Sequence, residues 1–124
     1  MNSSELKQVL KELLASCCPS PFFFQCPPNA GFPRTEYDFK QLDVSHTPYD
    51  KVVLTINMYD KGTQEIIDAA ADSLENLLDR AIHFTENNYY QFYSSHDRQS
   101  VPEPDKTLRR IMLSYEIRIY KRSE

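Results

Sequence analysis

The sequence predicts an α+β fold: a mainly antiparallel sheet of about four strands, with two helices (about residues 3–16 and 63–79) packed on one face. Three observations predict it. Residues 51–59 place an apolar side chain at every second position, and the chain then changes to the 3.6-residue apolar spacing of a helix. Residues 108–120 show a long, strict alternation. Residues 6–14 carry an apolar stripe at helical spacing.

The N-terminal segment has the pattern of a short amphipathic helix. Asn2 is positioned to cap it, and Glu5 lies at its third helical position, as in a capping box. Because an isolated helix of this length is marginal in water, its apolar stripe must dock on another element. The stripe consists of Leu6, Val9, Leu10, Leu13 and Leu14.

Residues 17–33 are expected to be irregular, because their prolines exclude a regular helix or a central strand. Phe22, Phe23 and Phe24 stand among these prolines, and three adjacent phenylalanines are too apolar to leave in water. We expect a loop that covers the open end of the core. The alternative is a plug that binds a partner.

The second half of the chain gives the remaining elements. Thr63 is the expected cap of the second helix, where acidic residues of the first turn favour the helix dipole. Residues 81–85 fit either a short strand or the exit from that helix. Prolines and charges in residues 96–106 predict a mobile or partner-ordered loop. The predicted strands cover residues 35–42, 51–59, 89–94 and 108–120.

Composition predicts one soluble domain over residues 1–124. The net charge of −4 does not favour binding to the phosphate groups of a nucleic acid, so sequence-specific nucleic-acid binding is not expected. The apolar segments are too short or too interrupted for a membrane span or a signal peptide. Three clustered cysteines, Cys17, Cys18 and Cys26, make a poor disulfide framework and favour a reducing, cytoplasmic setting.

The sequence offers no catalytic, cofactor or metal signature. Cys17 and Cys18 end a helix, where the dipole does not activate a thiol, and we expect them to pack at the helix end. His46, His83 and His96 lack the short spacing of zinc ligands. With only two glycines, a phosphate loop and a dinucleotide fingerprint are both excluded. We therefore expect no enzyme, no cofactor and no metal.

Aromatic side chains are the remaining candidates for function. Residues 89–93 place rings on both faces of one short strand, so one face can pack on the core while the other meets a partner. The alternative, to which we give equal weight, is that helices and loops of the same chain cover both faces. The long alternating segment 108–120 is also a candidate for contact with another chain, because an unpaired strand edge can pair with a neighbouring strand.

At the level of element order and pattern, the chain resembles the tail terminator, or tail-completion, proteins of tailed bacteriophages. The segments that carry the resemblance are the helix at 6–14, the strand at 52–60, the helix at 66–78, the acidic proline loop at 101–105 and the closing strand at 110–120. Residues 16–33 have no match in this pattern.

The resemblance implies a non-catalytic structural protein that caps the tail tube as a homo-oligomeric ring, commonly a hexamer, and contributes to head–tail joining. It implies as partners the major tail tube protein and the head–tail connector protein. It also implies a place at the tail end of the virion after assembly in the host cytoplasm. An acidic chain suits a ring through which DNA passes without sticking. The residues predicted at interfaces are Phe22, Phe23, Phe24, Tyr89, Tyr90, Phe92, Tyr93, Arg98, Asp105 and Arg110.

Three alternatives stay open on the sequence. The nearest is a head-completion or neck protein of the same virion. The second is a small non-viral domain that binds a ligand or regulates a partner, which would need a concave pocket with convergent polar groups. The third is an enzyme that uses Cys26 with a distant histidine.

Overall fold

The computed structural model describes residues 3–42, 48–95 and 97–122, which form two helices and seven strands. Asn2, His46 and His96 lie outside the described residues. In chain order the elements are α1 (Ser3–Ala15), β1 (Pro21–Phe23), β2 (Arg34–Leu42), β3 (Asp50–Lys61), α2 (Glu65–Leu78), β4 (Ile82–Phe84), β5 (Asn88–Ser94), β6 (Gln99–Ser100) and β7 (Leu108–Lys121).

The predicted α+β fold with a sheet of about four strands is wrong, because the described residues form a fold rich in β-strand, with one seven-stranded sheet. The three additional strands are β1, β4 and β6, which contain two or three residues each. Of these, the sequence offered only β4, as one of two possibilities for residues 81–85. A segment that short holds no complete alternation, so periodicity does not reveal it. These strands form because longer neighbours offer free backbone groups to pair with.

The sheet is built around a long central pair. β3 and β7 are antiparallel and in register from Asp50 opposite Ile119 to Lys61 opposite Leu108. The strand order is β1-β2-β3-β7-β5-β4, and β6 pairs with β7 beyond the end of β5. β1 alone among the described strands runs parallel to its neighbour, β2. The two outer strands, β1 and β4, therefore form opposite edges of the sheet.

One face of the sheet carries the hydrophobic core. β3 and β7 both alternate between buried and half-buried residues, so their buried side chains point to the same side. Both helices add their apolar stripes to this cluster. The largest fully buried side chains include Tyr90, Tyr115, Phe92, Leu6, Leu10, Leu14, Leu54, Ile56 and Met58.

The second helix begins later than Thr63. Its first residue is Glu65, and its N-cap position is occupied by Gln64, which makes no side-chain capping bond. The Thr63 hydroxyl still accepts a hydrogen bond from the Glu65 N–H at 3.2 Å, so it satisfies one free donor of the first turn. In the described part of the chain, neither helix is both long and apolar enough to cross a membrane.

Candidate functional site: the uncovered face of the sheet

In the described structure, neither helix packs on the face of the sheet opposite the core. We call this face the uncovered face. Its central positions are the half-buried residues of β3 and β7, which alternate with the core residues. Both helices pack on the other side, with the core. A sheet face of this size that is not covered by its own chain is a candidate contact surface.

Four rings form a continuous ladder across one end of the uncovered face. Phe84 contacts Tyr89 at 5.8 Å, and Tyr89 stacks on Tyr120 at 4.8 Å with the ring planes 6° apart. Tyr120 in turn contacts Tyr49 at 5.1 Å. Because Phe84, Tyr89 and Tyr120 are aligned by the registers of β4, β5 and β7, the ladder is fixed by backbone pairing. We call these four residues the aromatic ladder.

A charged cluster borders the ladder. The Arg118 guanidinium lies over the rings of Tyr49 and Tyr93, at 5.1 and 4.5 Å, and donates to the Glu116 carboxylate at 2.6 Å. Lys51 also pairs with Glu116, at 3.1 Å. The hydrogen bonds from Arg118 and Lys51 outweigh partial burial and hold the pKa of the Glu116 carboxyl below its ordinary value. The aromatic rings and charges together resemble the composition of protein interfaces.

A hollow of about 520 Å³ lies on β2 and β3, toward the other edge of the sheet. Phe24 borders the hollow, and the Val53 side chain forms an apolar part of its floor. Glu36, Asp38 and Lys40 line its sides, together with Thr55 and Asn57. The hollow thus combines an apolar base with two carboxylates and one ammonium group.

The three phenylalanines separate into different environments. Phe22 and Phe23 belong to β1, where Phe23 packs on the core and contacts Tyr37 and Phe39 at 5.7 and 5.4 Å. Phe24 instead is 67% exposed and has a φ of 70°. The predicted irregular loop is therefore wrong at residues 21–23, where pairing with β2 forms a strand and Phe23 packs against the core. Phe24 remains available to a partner.

The predicted aromatic strand at 89–94 also divides between the two faces. Tyr90 and Phe92 are each 1% exposed and belong to the core. They cannot contact a partner without unfolding, so we remove them from the candidate surface. Tyr89 and Tyr93 lie on the uncovered face and stay in it.

The three predicted charged residues bind within the chain. Arg98 donates to Asp72 at 2.7 Å and pairs with Glu75 at 3.4 Å, which fastens the segment before β6 to α2. Arg110 donates to the Asn57 side chain at 2.9 Å and the Glu103 carboxylate at 3.1 Å.

Asp105 lies at an exposed turn. Its carboxylate accepts bonds from the Thr107 hydroxyl and N–H at 2.7 and 2.9 Å, and these bonds hold its pKa below the ordinary value. Together with the Arg98 contacts, they are among the bonds that residues 97–106 of the predicted loop form within the chain; that the loop is mobile or partner-ordered stays a prediction.

The cysteines do not form a nucleophilic site in the described structure. Cys26 is buried, and its thiol lies 3.7 Å from the Thr35 carbonyl oxygen. It belongs to the β1–β2 end of the sheet, whereas His83 lies in β4 at the opposite edge. Among the described residues, no group of three or more histidine, cysteine or acidic side chains is arranged to hold a metal ion.

Comparisons with known proteins identify the fold. No protein-family model and no curated protein sequence matches this chain. A solved structure does. A chain of the structure titled "Virion of native gene transfer agent (GTA) particle" aligns with a TM-score of 0.61 and 16% identity, covering 92% of this chain and 85% of that chain. The two chains therefore share a fold across nearly their whole lengths.

Sequence reasoning named only Tyr89 among the four residues of the aromatic ladder, and it did not name Arg118. Tyr120 and Arg118 lie in the strand predicted at 108–120, but the pattern of that strand does not reveal their partners. Tyr49 precedes a strand, and Phe84 lies in one of only three residues. The strand registers bring Phe84, Tyr89 and Tyr120 together, and Tyr49 joins them through its contact with the Tyr120 ring.

Proposed function

We propose that this protein is a structural subunit of a virion and that it closes the end of a tail tube as a homo-oligomeric ring. The observation that carries the proposal is the fold shared with a chain of a gene transfer agent virion over 92% of this chain. The match supports a virion subunit. The narrower role as a tail terminator rests on the resemblance in element order described above.

The uncovered face supports a role in assembly. It offers the aromatic ladder, the Arg118 cluster and the hollow on one side of a single sheet, where a neighbouring subunit can contact all three. Interfaces of this kind are rich in tyrosine and arginine, because both combine a large contact area with polar groups. The proposal includes no catalytic step, and we expect the protein to act by shape and contact alone.

In this proposal one surface of the ring contacts the major tail tube protein and the opposite surface contacts the head–tail connector protein. Tube growth stops because the second surface does not match another tube ring. The protein would then be found at the tail end of the virion, after assembly in the host cytoplasm.

The test is tube capping. Tail tube protein from the same particle is polymerised alone and with this protein, and tube lengths and ends are measured by negative-stain electron microscopy. We expect shorter tubes that carry a ring of added density at one end. Tubes of unchanged length with bare ends would reject the proposed function, and capping by a single subunit would reject the ring.

A further inference from the structure

The two opposite edges of the sheet both carry exposed apolar side chains. At the β4 edge, Ile82 is 50% exposed and Phe84 is 60% exposed. They lie opposite Gln91 and Tyr89, so both side chains emerge on the uncovered face. At the β1 edge, Phe24 is 67% exposed. Ile82 and Phe84 are neighbours on one face of β4, and together with Phe24 they make the two edges candidates for contact with another surface.

The position of Phe24 is imposed by the backbone. Its φ of 70° is unfavourable for a bulky residue, and its N–H donates to the Tyr37 carbonyl oxygen at 2.7 Å. This bond holds the residue where its ring borders the hollow on β2 and β3. A strained residue that presents an apolar ring to solvent is typical of a contact site.

The charges at the two edges are complementary. The hollow has two carboxylates, Glu36 and Asp38, and one ammonium group, Lys40. The Arg122 guanidinium lies 5.6 Å from the centre of the Phe84 ring and donates to the Thr85 carbonyl oxygen at 2.6 Å. The Arg122 guanidinium therefore places a positive charge beside Phe84 at the β4 edge, whereas the hollow has one more anion than cations.

We propose that Ile82 and Phe84 of one copy dock in the β2–β3 hollow of a second copy of this chain, beside its Phe24. This inference rests on the proposed function, because it supplies the contact between ring subunits. A hollow of about 520 Å³ lies within the roughly 300–1,000 Å³ range of pockets that enclose small molecules, so it has room for these two side chains. Because the contact joins two different surfaces, it can be repeated head-to-tail around a closed ring.

The first test uses one variant on each side of the contact. Phe84→Ser and Phe24→Ser remove the apolar group from the β4 edge and from the hollow. Ile66→Ser is the matched control, because Ile66 is 52% exposed but lies on α2, in the helical layer. Self-association is measured by sedimentation velocity at concentrations up to about 1 mM. Each edge variant should weaken association at least tenfold, while the control should match the unmodified chain.

Mixing the two edge variants tests the direction of the contact. A Phe24→Ser copy keeps an intact β4 edge, and a Phe84→Ser copy keeps an intact hollow. An equal mixture should therefore form dimers of one copy of each, but no larger species. If two β4 edges paired with each other, Phe24→Ser would associate normally and the mixture would restore nothing.

A charge exchange keeps the test independent of folding defects. Asp38→Arg and Arg122→Glu should each weaken association, because each places like charges at the contact. A chain with both substitutions should recover most of the loss, which a misfolded protein cannot do.

The possible outcomes separate the inference from the proposed function. If both edge variants associate normally, or if the unmodified chain stays monomeric up to about 1 mM, the docking contact is wrong. If the variants lose association but the unmodified chain never caps a tube, the contact stands and the terminator role fails. If each edge variant still forms rings on tubes, the terminator role stands and the docking contact is wrong.

Discussion

At the scale of single residues, the three cysteines have different environments although they are close in sequence. Cys17 is half-buried, whereas Cys18 and Cys26 are buried. The Cys17 and Cys18 sulfur atoms are 3.9 Å apart. This hydrogen bond, together with burial, raises the pKa of the Cys18 thiol, while the same bond lowers the pKa of Cys17 to about 7. Burial also raises the pKa of Cys26.

Thiol labelling follows from these environments. With iodoacetamide at neutral pH, the native protein should react first at Cys17, because the thiolate is the reactive form and only this thiol is both accessible and acidic. Cys18 and Cys26 should react at least tenfold more slowly, at rates that rise when the protein unfolds. Mass spectrometry of peptides locates the label.

Two variants provide the control for the labelling experiment. Cys17→Ser should remove the fast reaction, and Cys26→Ser should leave it intact. A fast reaction that survives Cys17→Ser and disappears in Cys26→Ser would contradict this prediction. It would also favour the alternative of an enzyme that uses Cys26.

At the scale of elements, one carboxylate joins α1 to the β4–β5 hairpin. The Glu5 Oε1 atom accepts hydrogen bonds from the Thr85 hydroxyl at 2.8 Å, the Asn88 amide at 2.9 Å and the Tyr90 hydroxyl at 2.6 Å. Burial and the bond to Glu5 raise the pKa of the Tyr90 hydroxyl, which keeps it protonated as a donor. The sequence indicated Glu5 only as a capping residue, because the contact spans more than 80 positions.

Removal of the Glu5 carboxylate should weaken the attachment of α1 to the β4–β5 hairpin. We expect Glu5→Ala to lower the free energy of unfolding by about 1–3 kcal/mol at pH 7, because it leaves the Tyr90 hydroxyl without its charged acceptor. Urea unfolding followed by circular dichroism measures the change. Glu12→Ala is the matched control, because Glu12 is exposed on the same helix and accepts a bond from Gln8. An equal loss in both variants would contradict the prediction.

The same contact predicts a pH dependence. The hydrogen bonds from Asn88 and Tyr90 hold the pKa of Glu5 below its ordinary 4.5. The folded protein therefore binds this proton less readily than the unfolded chain. The stabilisation is complete above the ordinary pKa and is lost as the pH falls through the lowered value. The difference in stability between the unmodified chain and Glu5→Ala should accordingly shrink as the pH falls below about 4.

At the scale of the whole molecule, the long elements were predictable and the sheet's full extent was not. Periodicity revealed α1, α2, β3 and β7, because each is long enough to repeat its pattern several times. The edge strand β1 is set by pairing with its neighbour, which no local pattern encodes, and at β4 the local pattern left both a strand and a helix exit open. For the same reason, tyrosines in residues 89–93 suggested a contact surface, but Phe84 and Tyr120 joined it through the strand registers and Tyr49 through its ring contact with Tyr120.

The same architecture predicts a gradient of stability from the centre of the sheet to its edges. β3 and β7 are paired along their whole lengths and supply much of the core, so their amides should exchange with solvent only when the whole molecule unfolds. β1 and β4 are three-residue edge strands and should open locally. Hydrogen exchange measured by mass spectrometry on dilute protein should therefore show edge amides exchanging at least about 100-fold faster than central ones.

Raising the protein concentration tests whether the edges are completed by another copy. If β4 docks on β2 and β3 of a second chain, amides of β4 and of residues near Phe24 should gain protection together as the protein self-associates. The central β3 and β7 amides should not change, because global unfolding already limits their exchange. Phe84→Ser should abolish the gain at both edges, whereas Ile66→Ser should preserve it. Protection that rises at the β4 edge alone would indicate that two β4 edges pair and would reject the head-to-tail arrangement.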